Sequence, residues 1–246
     1  MKRAVVLLFA LVAGSLLLTS SAFAEQVTAD KAVLEKTGAK MKGAVEKGAT
    51  EKDLENPRVK LSTEMGDIVL ELYADKAPIS VDNFIKNTNN YHYDGLIFHR
   101  VIKGFMIQSG GHTFDMSFRE SDREPIVNES HNGLSNIRGS IAMARIADPD
   151  SAKAQFFINH KTNQRLDATA SRPGYTVFGG VVSGIEVVDA IAAVKVRSMG
   201  FYQDVPVTPI RILKARLLNP NAWTALPEPK PETIEPAYEM PVPLNR

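Results

Sequence analysis

The chain has 246 residues, of which 44% are hydrophobic and 23% are charged, a composition typical of a folded domain with one apolar core. Its 29 lysines and arginines nearly balance its 28 acidic residues, which argues against nucleic acid or an anionic membrane surface as the main partner. The chain contains no cysteine, which excludes disulfides, thiol catalysis and thiolate metal sites.

The N-terminus has the pattern of a secretory signal peptide. Basic residues at positions 2 and 3 precede an apolar run from Ala4 to Leu18, and residues 22–24 supply the small side chains that a signal peptidase needs. We therefore expect cleavage after Ala24 and export to the bacterial periplasm. The alternative is a retained membrane anchor, although the run is shorter than the ~20 residues that span a bilayer.

Composition divides the rest of the chain into three parts. Residues 25–56 are rich in lysine and glutamate, which predicts a flexible or weakly helical linker. Residues 57–218 are predicted to form the folded domain. Half of the 14 prolines fall in residues 219–246, so we expect an extended, polyproline-like tail there.

The folded domain begins with the pattern of a β-hairpin followed by a helix. Apolar and polar residues alternate over residues 58–63 and again over residues 67–73, around a turn at residues 64–66. Pro78 then opens a helix. Three apolar side chains share one face of this helix: Val81, Phe84 and Ile85.

Short strands dominate the remainder of the domain. Between Phe98 and Val182, strand-like runs alternate with polar loops, as in an antiparallel sheet or barrel. A second amphipathic helix follows Gly184 and carries Ile185, Val187, Val188, Ile191 and Val194. A last strand from Ile210 to Leu218 is expected to place Ile212, Lys214 and Arg216 opposite Leu213, Ala215 and Leu217. Two helices with about eight strands indicate a closed barrel capped at its ends.

The segment from residue 98 to residue 111, FHRVIKGFMIQSGG, holds the first candidate functional side chains. If it forms two strands around a turn at Lys103, period-two alternation places Phe98 and Arg100 on one face, and Met106 and Gln108 on one face of the second strand. Burying a guanidinium costs several kcal/mol unless partners satisfy it. Arg100 is therefore either paired structurally or held for use, and this segment alone favours structural pairing.

Later motifs shift that balance. Residues 154–158, AQFFI, again place an amide beside large aromatic side chains, and RLD at residues 165–167 and YTVFG at residues 175–179 follow. In series, FHR, GFMIQ, QFFI and VFG resemble the cyclophilin-type peptidyl-prolyl isomerases over residues 58–218. Through IRGSIAMAR and GYTVFG, the sequence is most similar to the proteobacterial periplasmic branch of that family.

The resemblance implies a mainly β fold, a closed eight-stranded antiparallel barrel capped by two α-helices, with a shallow outer groove for a proline-containing peptide. It also implies an enzyme that needs no metal or cofactor. In such an enzyme Arg100 is the catalytic guanidinium and Gln108 holds it in place. The walls of the proline pocket are then Phe105, Met106, Phe157 and Leu166.

The resemblance also assigns contacts with the rest of the peptide. Gln155 is expected to hydrogen-bond the substrate backbone, and Ala144 and Arg145 match the stretch that pairs with the extended peptide. Two positions depart from the eukaryotic members of the family, which carry tryptophan at the position of Arg165 and histidine at that of Tyr175. The pocket walls remain, and Tyr175 still offers an aromatic face to the proline.

Two other hypotheses remain open. The domain could hold proline-containing segments as a chaperone or scaffold with little turnover, although simple binding does not need Arg100. The tail could dock into the groove or bind a partner, although a disordered extension is favoured. The five histidines have no metal-binding spacing. We expect a monomer whose partners are unfolded or flexible polypeptides that contain proline, with no nucleic acid, and no membrane after signal cleavage.

Overall fold

A computed structural model of the protein describes residues 56–226. The predicted signal peptide, nearly all of the predicted linker and the tail beyond Leu226 lie outside the described residues. Within residues 56–226, no helix has both the length and the apolar character needed to cross a membrane.

The described part of the chain is mainly β with two α-helices, as predicted. The helices are α1 (Pro78–Asn89) and α2 (Ile185–Ala192). The strands are β1 (Arg58–Thr63), β2 (Gly66–Leu72), β3 (Arg100–Ile102), β4 (Met106–Ser109), β5 (Ser140–Met143), β6 (Phe156–Asn159), β7 (Val177–Ser183), β8 (Val196–Met199), β9 (Tyr202–Pro206) and β10 (Ile212–Leu217). Eight strands form one antiparallel sheet in the order β10-β1-β2-β7-β5-β6-β4-β3, whereas β8 and β9 form a separate hairpin.

The eight-stranded sheet curls into a half-barrel and does not close. No ladder joins its edge strands β3 and β10 in the described residues, and an isolated bridge between Ile97 and Arg211 connects the segments that precede them. The expectation of a closed barrel was therefore wrong. Closure fails because β3 is only three residues long and β9, rather than β10, packs beside it.

The main hydrophobic core lies on one face of the sheet and is covered by both helices. Phe84 of α1 lies at its centre, with ring centroids 5.0 Å from Tyr93, 5.4 Å from Phe156 and 5.2 Å from Phe178. The predicted helix face is confirmed, because Val81, Phe84 and Ile85 are all buried. This core fixes the sheet whose opposite face carries the candidate site.

The N-terminus of α1 is held by a carboxylate from a distant loop. Ala77 precedes the helix and supplies no side-chain cap. Glu129 instead accepts hydrogen bonds from the backbone N–H of Ile79 (3.0 Å) and from both the N–H (2.8 Å) and the hydroxyl (2.7 Å) of Ser80. A negative charge at this end of a helix is also favoured by the helix dipole.

Replacing Glu129 by alanine is therefore expected to lower the free energy of unfolding by about 1–3 kcal/mol, since buried helix donors lose their acceptors. Glu129→Gln keeps the shape and one acceptor oxygen, but it loses the charge and turns an NH₂ group toward one of the helix N–H donors, so it should recover only part of the loss. Urea unfolding of the wild type and both variants measures the difference. Equal stability of all three proteins would show that the loop does not support the helix.

The last predicted strand departs from simple alternation. The pairing of β1 with β10 shifts between Ser62 and Thr63, so that Leu213 forms a bulge. As a result Ile212 and Ala215, three residues apart, are both fully buried. The prediction that Ile212 shares a face with Lys214 and Arg216 was therefore wrong, because one inserted residue moves every later side chain to the other face. Similarly, α2 ends at Ala192, and Val194 lies beyond it.

The chain beyond Leu218 continues to contact the domain. Residues Pro220–Ala222 form a 3-10 helix, and Trp223 packs against the main core. The backbone N–H of Leu226 donates to the Asp82 carboxylate of α1 at 2.8 Å. The first residues of the predicted extended tail therefore lie on the helical side of the domain.

Candidate active site

A second apolar cluster lies on the face of the sheet opposite the main core. Along β6, Phe156 and Ile158 belong to the main core, whereas Phe157 between them belongs to the second cluster. Side chains from three neighbouring strands join it there: Met106 of β4, Ala142 of β5 and Val177 of β7. Period-two alternation thus gives the same strands two apolar faces, and the second face forms the floor of a surface groove.

This groove has a volume of about 520 Å³ and brings together all ten side chains that the sequence analysis singled out. The ten are Arg100, Phe105, Met106, Gln108, Ala144, Arg145, Gln155, Phe157, Leu166 and Tyr175. Their positions in one groove are a finding, whereas the role of each remains a prediction. Five further residues complete the lining: His99, His112, Phe201, Tyr202 and Gln203.

Arg100 begins the edge strand β3 and lies directly opposite Gln108 of β4. Its side chain is exposed, and within residues 56–226 no hydrogen bond or ion pair engages the guanidinium. Phe98, in contrast, is fully buried in the main core. The expectation that Phe98 and Arg100 share a face was therefore wrong, because the regular strand begins only at Arg100.

Gln108 is engaged by Gln155. The Gln108 Nε2 donates to Gln155 Oε1 at 3.0 Å, and no hydrogen bond joins Gln108 to the Arg100 side chain in the described part of the chain. The expected clamp from Gln108 onto Arg100 is thus replaced by an amide pair. Gly111 makes room for this pair, because a Cβ at that position would lie only 2.7 Å from the Gln155 amide group.

Two arginines flank the apolar floor. The Arg145 guanidinium lies 4.7 Å from the centre of the Tyr175 ring and donates to the carbonyl oxygens of Gly174 (3.2 Å) and Ile146 (2.9 Å). The Arg165 guanidinium lies 4.9 Å from the centre of the Phe105 ring. Both contacts have cation–π geometry, and they hold aromatic side chains at the rim of the groove.

A pair of histidines lines the groove together with Arg100. The rings of His99 and His112 are 4.4 Å apart, and both Nδ1 atoms are buried without a partner in the described residues. Burial, with His112 adding to it, lowers the pKa of His99 to about 3, and burial also lowers the pKa of His112. Both rings are therefore neutral near pH 7 and add no competing positive charge beside Arg100.

Sequence reasoning missed the contribution of the β8–β9 hairpin to the groove. The sequence does contain a signal for a hairpin, because Gly200 stands between two short strand-like runs. In the structure this glycine lies at the turn with a positive φ of 60°. The two strands then bring Phe201, Tyr202 and Gln203 to the rim. Within residues 56–226, no group of three or more histidine, aspartate or glutamate side chains could hold a metal ion.

The sequence of the described domain is similar to those of known proteins. Residues 58–217 match the family model described as cyclophilin type peptidyl-prolyl cis-trans isomerase. A peptidyl-prolyl cis-trans isomerase from Acinetobacter baylyi is 47% identical over 169 residues, which cover 68% of this chain and 89% of that relative. Peptidyl-prolyl cis-trans isomerase A from Dickeya dadantii is 48% identical over 160 residues, which cover 65% of this chain and 84% of that relative.

The fold is also similar to that of a solved structure. The crystal structure of a Cryptosporidium parvum cyclophilin type peptidyl-prolyl cis-trans isomerase, determined in the presence of the dipeptide Ala-Pro, aligns with a TM-score of 0.55 and 24% sequence identity. The alignment covers 65% of this chain and 98% of that structure.

Proposed function

The chain belongs to the cyclophilin-type peptidyl-prolyl cis-trans isomerases, and from this premise we propose that it accelerates rotation about Xaa-Pro bonds in exported proteins by donating a hydrogen bond from Arg100 to the prolyl nitrogen. The substrates are unfolded or flexible polypeptides, and the isomerase assists their folding. The observation that carries the mechanism is an exposed guanidinium, unpaired within residues 56–226, at the rim of an apolar floor.

The chemistry of the reaction explains why an arginine suits this place. Rotation about a peptide bond has a barrier of about 18–20 kcal/mol, because the nitrogen lone pair is delocalised into the carbonyl. Exchange of an Xaa-Pro bond therefore takes tens to hundreds of seconds without a catalyst, which is slow enough to limit folding. In the twisted transition state the lone pair is localised on nitrogen, which becomes a hydrogen-bond acceptor only at that point.

A donor aimed at this nitrogen stabilises the transition state more than the ground state, and only such differential binding raises the rate. Arg100 is always charged, and its planar fork can present one N–H to the nitrogen. A rate increase of four decades needs about 5–6 kcal/mol, since each tenfold requires about 1.4 kcal/mol. One charged hydrogen bond in a partly desolvated groove brings a gain of that order within reach.

The apolar floor holds the proline ring while the preceding carbonyl rotates. Phe157 and Met106 form the base of this pocket, and Phe105 and Leu166 form its sides. Phe157 also packs against Tyr175, with ring centroids 5.6 Å apart and an interplanar angle of 78°, so the pocket wall keeps its shape. The pocket excludes water and lowers the local dielectric constant, which strengthens the contact of Arg100 with nitrogen.

The amide pair holds the substrate backbone beside Arg100. Because Gln108 donates to the Oε1 of Gln155, it fixes the orientation of the Gln155 amide, and we expect the NH₂ group of Gln155 to donate to a peptide carbonyl. Ala144 lies next to Gln155, and its N–H already donates to the Gln155 carbonyl at 2.9 Å. The substrate chain runs along this side of the groove and pairs with the segment at Ala144 and Arg145.

Export to the periplasm completes the proposal. It rests on the sequence, in which two basic residues, an apolar run and a small-residue motif precede Glu25. An exported isomerase acts on chains that fold after translocation, where slow Xaa-Pro exchange is a rate-limiting step.

One experiment tests location and activity together. The full chain is expressed in a bacterium, and the protein is recovered from the periplasmic fraction. Mass spectrometry gives the molecular mass of the recovered chain. The protein is then added to a refolding reaction whose rate is limited by isomerisation of an Xaa-Pro bond. The expected results are a chain that begins at Glu25 and faster refolding at catalytic amounts of protein. Acceleration that requires stoichiometric protein would favour the alternative, a chaperone that only binds, and a full-length product in the membrane fraction would contradict export.

A further inference from the structure

The groove continues past Arg100 onto the β8–β9 hairpin. The tip residue Phe201 is fully exposed (relative accessibility 103%), and with Tyr202 and Gln203 it lines the groove. A fully exposed phenylalanine at the rim of a binding groove leaves apolar surface in water that a ligand can cover. Neither the proline pocket nor the amide pair makes use of this surface.

Strand order places the hairpin at the end of the groove away from Ala144. Ala144 follows β5, and the strands then run β5-β6-β4-β3 across the sheet, with β9 packed beside β3. Phe157 of β6 and Met106 of β4 therefore lie between Ala144 and Arg100, and the hairpin lies beyond Arg100. A polypeptide that contacts Ala144 and places its proline over Phe157 therefore reaches the hairpin if it continues across the sheet past Arg100.

The base of the hairpin is anchored while its tip is free. Val205 of β9 is buried in a small cluster with Ile97 and Met116. The Tyr202 hydroxyl lies 3.2 Å from His112 Nε2, and the two rings are 5.0 Å apart. These contacts fix the position of the rim, so the hairpin beside Phe201 is held in place before a ligand binds.

We propose that Phe201, supported by Tyr202 and His112, forms a second subsite that binds an apolar side chain of the same polypeptide, on the side of the proline away from Ala144. The inference rests on the proposed function and names its substrate class: extended segments that carry an apolar residue at a fixed distance from the proline. Such segments are exposed in unfolded chains and buried in folded ones, so the subsite selects unfolded clients.

The geometry sets the spacing between the two side chains. Neighbouring strands lie about 4.8 Å apart, and an extended chain advances about 3.3 Å per residue. From the floor between β6 and β4, the hairpin is two to three strand spacings away, about 10–15 Å. The apolar residue is thus expected about three or four positions from the proline.

The test compares isomerisation of three kinds of peptide by the mature protein. The first is a minimal peptide that contains little more than the Xaa-Pro bond. One series extends this peptide toward the N-terminus and the other toward the C-terminus. Within each series, leucine or serine is placed in turn at each of the four positions next to the Xaa-Pro bond. For one terminus only, kcat/KM should be about five- to tenfold higher with leucine than with serine at the third or fourth position. The Phe201→Ala variant should lose most of this ratio, and Phe201→Leu should keep most of it.

A matched control is available in Phe114, which is also exposed but does not line the groove. Phe114→Ala should leave the leucine-to-serine ratio unchanged. The subsite is refuted if the wild type shows no such ratio for either terminus, if Phe201→Ala preserves it, or if Phe114→Ala removes it equally. Failure of the wild type to accelerate any peptide would instead refute the proposed function itself, so the two failures are distinguishable.

Discussion

Replacing Arg100 by alanine is expected to lower kcat/KM for an Xaa-Pro peptide by about 10²- to 10³-fold, the usual loss when one donor to the transition state is removed. The loss should appear in kcat and leave KM nearly unchanged, because the prolyl nitrogen accepts a hydrogen bond only in the twisted state. A protease-coupled isomerisation assay measures both constants.

The fold should hardly respond to this substitution. Arg100 is exposed and makes no hydrogen bond or ion pair within the described range 56–226, so its removal should change the free energy of unfolding by less than about 0.5 kcal/mol. Arg100→Lys is the informative control, since it keeps the charge but loses the planar fork and should recover only a small part of the rate. Wild-type and Arg100→Ala proteins with equally low activity would leave only the binding function.

Adjacent phenylalanines on β6 are expected to respond in opposite ways to truncation. Phe157→Ala removes the floor of the proline pocket and should lower kcat/KM by about 10- to 100-fold, since covering one face of a proline ring is worth about 1.5–3 kcal/mol. Phe156→Ala leaves the groove intact but opens a cavity against Phe84 and Tyr93, and should cost about 3–5 kcal/mol of stability.

The two effects are separated by measuring urea unfolding and the activity per folded molecule for both variants. If Phe156→Ala does not fold, Phe156→Leu gives a milder cavity on the same side of the strand. Loss of activity per folded molecule in the Phe156 variant, with full activity in the Phe157 variant, would reverse the assignment of the two faces.

Local patterns in the sequence predicted the strands and helices in which one face is buried against the core. The first hairpin and α1 follow from alternation and from the spacing of Val81, Phe84 and Ile85, because one buried face fixes each register. The membership of the groove followed from the family motifs, which place Arg100, Gln108 and Phe157 on neighbouring strands and Gln155 just before the last of them.

The structure departs from the predictions where contacts between segments distant in the sequence decide the local conformation. A bulge at Leu213 reverses the facing of β10, and the short strand β3 leaves the sheet open beside β9. Gln108 pairs with Gln155 rather than Arg100, and the Gln155 amide occupies space that any side chain at Gly111 would fill. None of these outcomes follows from the period of a single segment.

The hairpin shows a different reason for failure. Its strands β8 and β9 are largely exposed, so they lack the buried apolar alternation that makes a strand visible in a sequence. Val205 and Tyr202 tie it to the rest of the domain, through the cluster at Ile97 and through His112. Its relation to the groove could be recognised only once β9 was seen beside β3.

The rate of cis-trans exchange in a peptide that is already bound shows whether Arg100 acts on the rotating bond itself. NMR exchange measurements on an Xaa-Pro peptide at saturating protein give this rate without any contribution from binding, and titration gives the dissociation constant separately. With Arg100→Ala, the bound-state rate should fall by about 10²-fold or more while the dissociation constant changes less than about threefold. An unchanged bound-state rate together with a larger dissociation constant would refute this mechanism. Arg100 would then stabilise the ground-state complex and not the transition state of rotation.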